Sequence, residues 1–147
     1  MKKEFVMRGQ TASGETEVLN FSGYKPGYAY RMTEFLIYPY NPTSDRRSYA
    51  SVTAGKTAVD PANSVDFNNE GLIATAMDVF NAAAQDGRIA LSIVNDTFLI
   101  TQNLILMVSA QVSSEPINWQ CRFVAEKMSG PEEAATNYKQ FTISDGS

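Results

Sequence analysis

The sequence contains no histidine and only one cysteine in 147 residues. Without histidine it lacks the commonest general base near neutral pH, the base of Ser/His and Cys/His nucleophile pairs, and the commonest zinc ligand. The lone Cys121 excludes an intramolecular disulfide, which leaves the redox compartment open. Charged residues make up 19%, against about 25% in an average domain. The net charge is −4, so the basic footprint that nucleic-acid binding needs is missing. No run approaches the roughly 18–20 apolar residues of a membrane span, and Met1 to Arg8 lacks the apolar core of a signal peptide. The expectation is a chain made in the cytoplasm, with no membrane span. No GxGxxG or P-loop pattern occurs, and no cofactor is expected.

What is present is alternation. In Ile117 to Ala125 the odd positions hold Ile, Trp, Cys, Phe and Ala, and the even ones Asn, Gln, Arg and Val. Strand side chains point to opposite faces with period two, so this is a strand with one buried face, and Cys121 belongs to that face as a buried thiol. Leu104 to Val108 is apolar at every position, as in a central strand covered on both sides. Ile89 to Ile93 alternates again, Asn95-Asp96 breaks the run, and the β-branched and aromatic Thr97 to Thr101 resumes it. Pro116, which has no N–H, marks a turn at Ser113 to Pro116. Strands so closely spaced between Arg88 and Met128 predict a meander.

Upstream, Glu4 to Arg8 reads as an edge strand, Glu17 to Phe21 as a short strand, and Tyr24-Lys25-Pro26-Gly27 as a turn. Tyr28 to Tyr40 is the longest candidate there. On strand spacing, Tyr28, Tyr30, Met32, Leu36, Tyr38 and Tyr40 share one face and Phe35 and Ile37 the other. Ser48 to Thr53 follows as a short strand. Gly55 to Glu70 is a long polar loop of the sort that carries function or docks a partner. Gly71 to Ala84 fits two templates. Its apolar positions make a helical stripe, and Leu72 to Met77 would serve equally as a buried strand; the balance falls to a strand near 71–78. Ser129-Gly130-Pro131-Glu132 resembles a capping box that would open a short helix, and Tyr138 to Ser147 is a polar tail containing Phe141 and Ile143. The fold class is therefore mainly β: a single antiparallel β-sandwich or jelly-roll-like domain with long polar loops, room for one or two short helices, a β domain over 1–128 and a C-terminal tail or arm over 129–147.

Little chemistry remains. Asp60, Asp66 and Glu70 are the loop acids that carboxylate-only hydrolysis would use, and with Asn68 they could offer oxygens to calcium, but without the EF-hand spacing. Loop acids of this kind are ordinarily solvated, and the chain is expected not to be an enzyme and to hold no metal. Arg46-Arg47 beside Asp45 reads as an interface or solvated charge cluster rather than a phosphate site.

Three stretches carry a family resemblance: Phe67 to Ile73, Asn95 to Leu106 and Ile117 to Phe123. With them, residues 30 to 128 resemble small structural proteins encoded beside the capsid genes of marine bacteriophages. The resemblance implies a virion component, a capsid decoration or cement protein or minor capsid protein, oligomeric and sandwich-like. It transfers no functional residues. The partners it implies are further copies of the chain and other virion or capsid proteins, with contacts expected at Tyr24, Tyr28, Arg46, Arg47, Phe141 and Ile143. The alternative is a carbohydrate- or cell-surface-binding module that uses exposed aromatics such as Tyr38 and Tyr40.

Overall fold

The structure, a computed structural model, describes residues 3–21, 27–55, 57–81, 87–112, 114–132, 134–136 and 139. Its eight strands are β1 (Lys3–Thr11), β2 (Thr16–Leu19), β3 (Tyr28–Pro39), β4 (Arg46–Ala54), β5 (Leu72–Asn81), β6 (Gly87–Val94), β7 (Leu104–Gln111) and β8 (Ile117–Lys127). They form two antiparallel sheets, one ordered β1-β8-β3 and the other β2-β7-β4-β5-β6. The pairing has a simple logic. β1 lies on β8, β2 on β7 and β4 on β5, so the first half of the chain doubles back along the second like one long hairpin. Wrapping that doubled ribbon into two layers gives a jelly roll. The same doubling would join β3 to β6. Instead β6 contacts β3 without a ladder and is bonded only to β5.

The expected meander is not found. β6, β7 and β8 share no ladder with one another: β7 pairs with β2 and β4, and β8 with β1 and β3. Alternation reports that a strand has one buried face, and the partner it buries that face with lies elsewhere in the chain. Thr97 to Thr101 is not a strand either. Asn95 Oδ1 accepts from Thr97 N–H at 3.2 Å to make a turn, and Ile100 forms one isolated bridge to Tyr30. Phe98 and Ile100 are buried, so the apolar composition of this segment reflects core filling without strand pairing.

β3 corrects the aromatic stripe. The ladder to β8 shifts between Met32, which faces Phe123, and Glu34, which faces Arg122. The extra residue, Thr33, is a bulge that reverses the facing of everything after it. Met32 and Phe35 are therefore both fully buried, while Leu36 and Tyr38 face solvent. The ambiguous segment resolves as β5, where Ala74, Ala76 and Asp78 point inward and Thr75, Met77 and Val79 are half-buried, with ladders on both flanks.

Met32, Phe35, Val52, Ile73, Ile100, Leu104, Leu106, Val108, Ile117 and Phe123 fill the space between the sheets. Phe5 stacks on Phe123 with ring centroids 5.3 Å apart, and Phe21 meets Phe123 edge-on at 5.1 Å. Cys121 is fully buried, and loss of hydration pushes its thiol up to about 12. Beyond β8 the capping box is present. Glu132 N–H donates to Ser129 Oγ at 3.3 Å, Ser129 N–H donates to Glu132 Oε1 at 3.4 Å, and residues 130–132 and 134–136 are helical.

Candidate interaction surfaces

The outer face of the five-stranded sheet is apolar for most of its width. Register places Met77 of β5 opposite Leu91 of β6 and Tyr49 of β4, and places Thr75 opposite Ile93 and Val79 opposite Ile89. Residues 55–70 lie over part of this face. Ser51 Oγ donates to the Val59 carbonyl at 2.6 Å, which ties that loop down. Pro61, Val65 and Phe67 then wall a hollow of about 240 Å³ against Tyr49, Met77, Leu91 and Ile93. The loop does not reach across β6. Ile89, Leu91 and Ile93 remain 59%, 54% and 45% exposed, and Phe67 on the loop 64%. Ala90 and Ser92, on the other face of β6, are exposed as well, so the strand projects past β3 with both faces in solvent.

The second surface is a cleft of about 760 Å³. Its floor is the outer face of the three-stranded sheet, where Arg8, Gln120 and Leu36 form one row across the strands and Gln10, Asn118 and Tyr38 the next. Gln10 Nε2 donates to Asn118 Oδ1 at 2.9 Å. Arg88 and Ala90 of β6 supply a wall, and Asp78 lies at its base. The volume suits a small ligand, and the polar groups converge on it beside an exposed tyrosine.

Asp78 and Arg46 form a buried ion pair, 2% and 4% exposed. Arg46 donates from Nη2 to Asp78 Oδ1 at 2.9 Å and from Nε to the same oxygen at 3.2 Å, while Nη1 reaches the Pro42 carbonyl at 3.0 Å. The guanidinium also lies 5.1 Å from the Phe80 ring centroid. Arg88 Nη2 is 3.6 Å from the second carboxylate oxygen. In contrast, the ion pair of Arg31 and Glu126, 2.7 Å apart, is partly exposed, and its hydrogen bond raises the Arg31 pKa.

The residues singled out from sequence are scattered. Arg46 is buried in the ion pair and cannot serve as a surface cation, because its partners Asp78 and Pro42 lie inside the same wall. Arg47, its neighbour, is exposed on the outer sheet face between Val79 and Gln111. Tyr28 opens β3 opposite Lys127 and is exposed. Tyr24, Phe141 and Ile143 lie outside the described residues. Tyr38 and Tyr40 are both exposed, and Tyr38 lines the cleft. Asp60 and Asp66 each hold a turn, accepting from Ala62 N–H at 3.0 Å and Asn68 N–H at 2.9 Å. Asp60, Asp66 and Glu70 are not gathered at one point: among the described residues no three Asp, Glu or Cys side chains group to hold a metal ion. Also among the described residues, no helix is long and apolar enough to cross a membrane.

No protein-family model matches the chain, and no curated sequence matches it. Two solved structures are similar to it in fold. One is a chain from Bacillus endospore appendages, a family of disulfide-linked pili, with a TM-score of 0.30 and 7% identity over 88% of both chains. The other is a chain of Desmodium yellow mottle tymovirus, with a TM-score of 0.36 and 12% identity, covering 87% of this chain and 89% of that one. Both are loosely compatible with a structural role, but below a TM-score of 0.5 neither carries an argument. The fold rests on the strand order itself.

Proposed function

We propose that this chain is a non-enzymatic structural protein of a virion, a capsid decoration or cement protein or a minor capsid component, that works through protein–protein contacts. The observation that carries the reading is a jelly roll whose larger sheet keeps an apolar outer face and ends in an uncovered strand, β6. A face of that kind is costly to leave in water and is the usual mark of a protein contact. The resemblance to small proteins encoded beside bacteriophage capsid genes supports the same reading and makes the particle a phage. Cementing would proceed by burying such faces across subunit seams, each seam burying more than about 1,000 Å². Many weak seams on one particle then act together through effective concentration. The test is mass spectrometry of density-gradient-purified virus particles from a producing culture. Many copies per particle is the expected result, and recovery only in the soluble fraction would refute the reading.

The cleft favours a second reading, a carbohydrate- or cell-surface-binding module. Tyr38 could stack on a sugar ring while Gln10, Asn118 and Arg8 bond its hydroxyls. Binding on a glycan panel that is lost in Tyr38→Ala would support this, and no binding across the panel would end it.

A further inference from the structure

Strand β6 lacks every common defence of an exposed sheet edge. Natural edge strands carry an inward charge, a lysine, a proline or a bulge that discourages another strand from pairing. Ile89 to Val94 contains none of these residues, and the ladder from β5 to β6 runs from Ala74 to Asn81 without a shift in register. The phase of that ladder is set by Asn95 N–H, which donates to the Ile73 carbonyl at 2.8 Å. Odd residues therefore direct their backbone groups to β5, and Arg88, Ala90, Ser92 and Val94 direct theirs to the open edge.

We propose that this edge pairs with the same edge of a second copy of the chain, joining the two five-stranded sheets into one continuous sheet across a two-fold axis at Leu91. The inference rests on the reading of the chain as a contact-forming structural protein and names the partner of its most exposed strand. Antiparallel pairing about Leu91 sets Ala90 against Ser92 of the second copy and Arg88 against Val94. Every edge-directed N–H and C=O then meets a complement. Leu91 faces its own equivalent at a non-hydrogen-bonded position, where antiparallel side chains come closest. On the outer face Ile89 lies against Ile93, and β-branched and apolar pairs of this kind stabilise a ladder. The one charged residue of the strand, Arg88, falls at the rim, remote from its twin. Area also suffices. Ile89, Leu91, Ile93, Val65 and Phe67 expose roughly 500 Å² per copy, so the pair with its backbone ladder reaches the range of specific interfaces. A strand self-pairing by a two-fold axis is closed, which makes a dimer rather than a fibre.

Sedimentation and light scattering on the full chain test this, with three variants. The wild type is expected at twice 16.2 kDa. Leu91→Lys, a solvent-exposed change that leaves the core intact, is expected to halve the mass while the circular dichroism spectrum and melting temperature stay unchanged. Leu91→Cys is expected to give a covalent dimer under mild oxidation, because the two thiols meet at the axis within disulfide reach, while Cys121 stays buried and silent. Phe141→Asp in the tail is expected to leave the dimer whole. A wild type that stays monomeric at millimolar concentration, a dimer that survives Leu91→Lys, or one that Phe141→Asp abolishes instead would each overturn the self-pairing. A monomer in solution that is nevertheless found on purified virions would sink the self-pairing alone and leave the structural reading standing.

Discussion

Replacing Asp78 with alanine would strand the guanidinium of Arg46 inside the protein. Its remaining partners would be the carbonyls of Pro42 and Ser44 and the ring of Phe80, none of which carries a compensating charge. Removing one member of a buried ion pair costs about 3–5 kcal/mol, because a desolvated charge is left without its counter-charge. For a chain of this length the total stability is on the order of 10 kcal/mol, so the loss is a large share of it. At about 2–4 °C per kcal/mol, the midpoint of thermal unfolding should fall by roughly 6–20 °C. Arg46→Met should cost less than Asp78→Ala, since Arg88, already 3.6 Å from the carboxylate and half in solvent, can close on it. The double change Arg46→Met with Asp78→Leu removes both charges and should return to within about 2 kcal/mol of the wild type. Equilibrium urea unfolding followed by the fluorescence of Trp119, the one tryptophan of the chain, measures all four proteins. Single changes that cost less than about 1 kcal/mol, or that simply add in the double variant, would refute the assignment of Arg46 to a structural pair.

Gly9 lies opposite Trp119, and a methyl group there would sit 2.9 Å from Trp119 Cζ2. Gly9→Ala should therefore cost about 1–3 kcal/mol in the same urea assay, through displacement of an indole whose Nε1 donates to Thr11 Oγ1 at 2.9 Å. Cys121 should resist a thiol reagent in the native protein and react only in denaturant. Its thiol is raised from 9.0 to about 12 by burial. The unfolded chain thus loses this proton first, so the native preference for the neutral thiol is whole below about pH 9 and is lost as pH rises toward about 12. The stability of the wild type should fall across that window by more than that of Cys121→Ala. Thr53 Oγ1 is buried without a hydrogen-bond partner among the described residues. Thr53→Val should consequently be neutral or stabilising by about 1 kcal/mol in thermal unfolding, and a loss larger than that would reveal a partner.

The parts of the fold legible in sequence were those that depend on a strand's own faces. Ile117 to Ala125 announces β8 because every inward residue from Ile117 to Phe123 is apolar, and β8 is the central strand of its sheet with a partner on each side. Glu4 to Arg8 reads as an edge strand because its alternation is short and polar, and β1 is an edge. Pairing was illegible for a physical reason: β1 meets β8 across more than a hundred residues, and no local pattern encodes a ladder between strands so distant. The bulge at Thr33 was hidden too. A single extra residue leaves composition untouched, yet it turns Phe35 from the supposed outer face to the core and Leu36 and Tyr38 from the supposed core face to solvent. The cleft depends on that reversal, since Leu36 and Tyr38 line it only because the bulge turned them outward.

The candidate surface was misjudged for a related reason. Arg46 and Arg47 looked alike in sequence as adjacent cations in a polar stretch, but neighbours in a strand face opposite ways. One is therefore drawn into the wall by Asp78, thirty-two residues away, and the other is left in water. Conversely, Ile89, Leu91 and Ile93 have the alternation of a half-buried strand and would ordinarily be assigned to a core. Alternation states that one face is apolar; whether another layer covers that face is decided by strand order. Here β3 stops short of pairing with β6, and the loop over 55–70 is held to the middle of the sheet by Ser51, so the apolar face of β6 is left bare. The same three side chains, with the same period, would be ordinary core residues in a complete wrap. Their exposure follows from a single missing ladder, and that missing ladder is what leaves β6 free to take a partner from outside the chain.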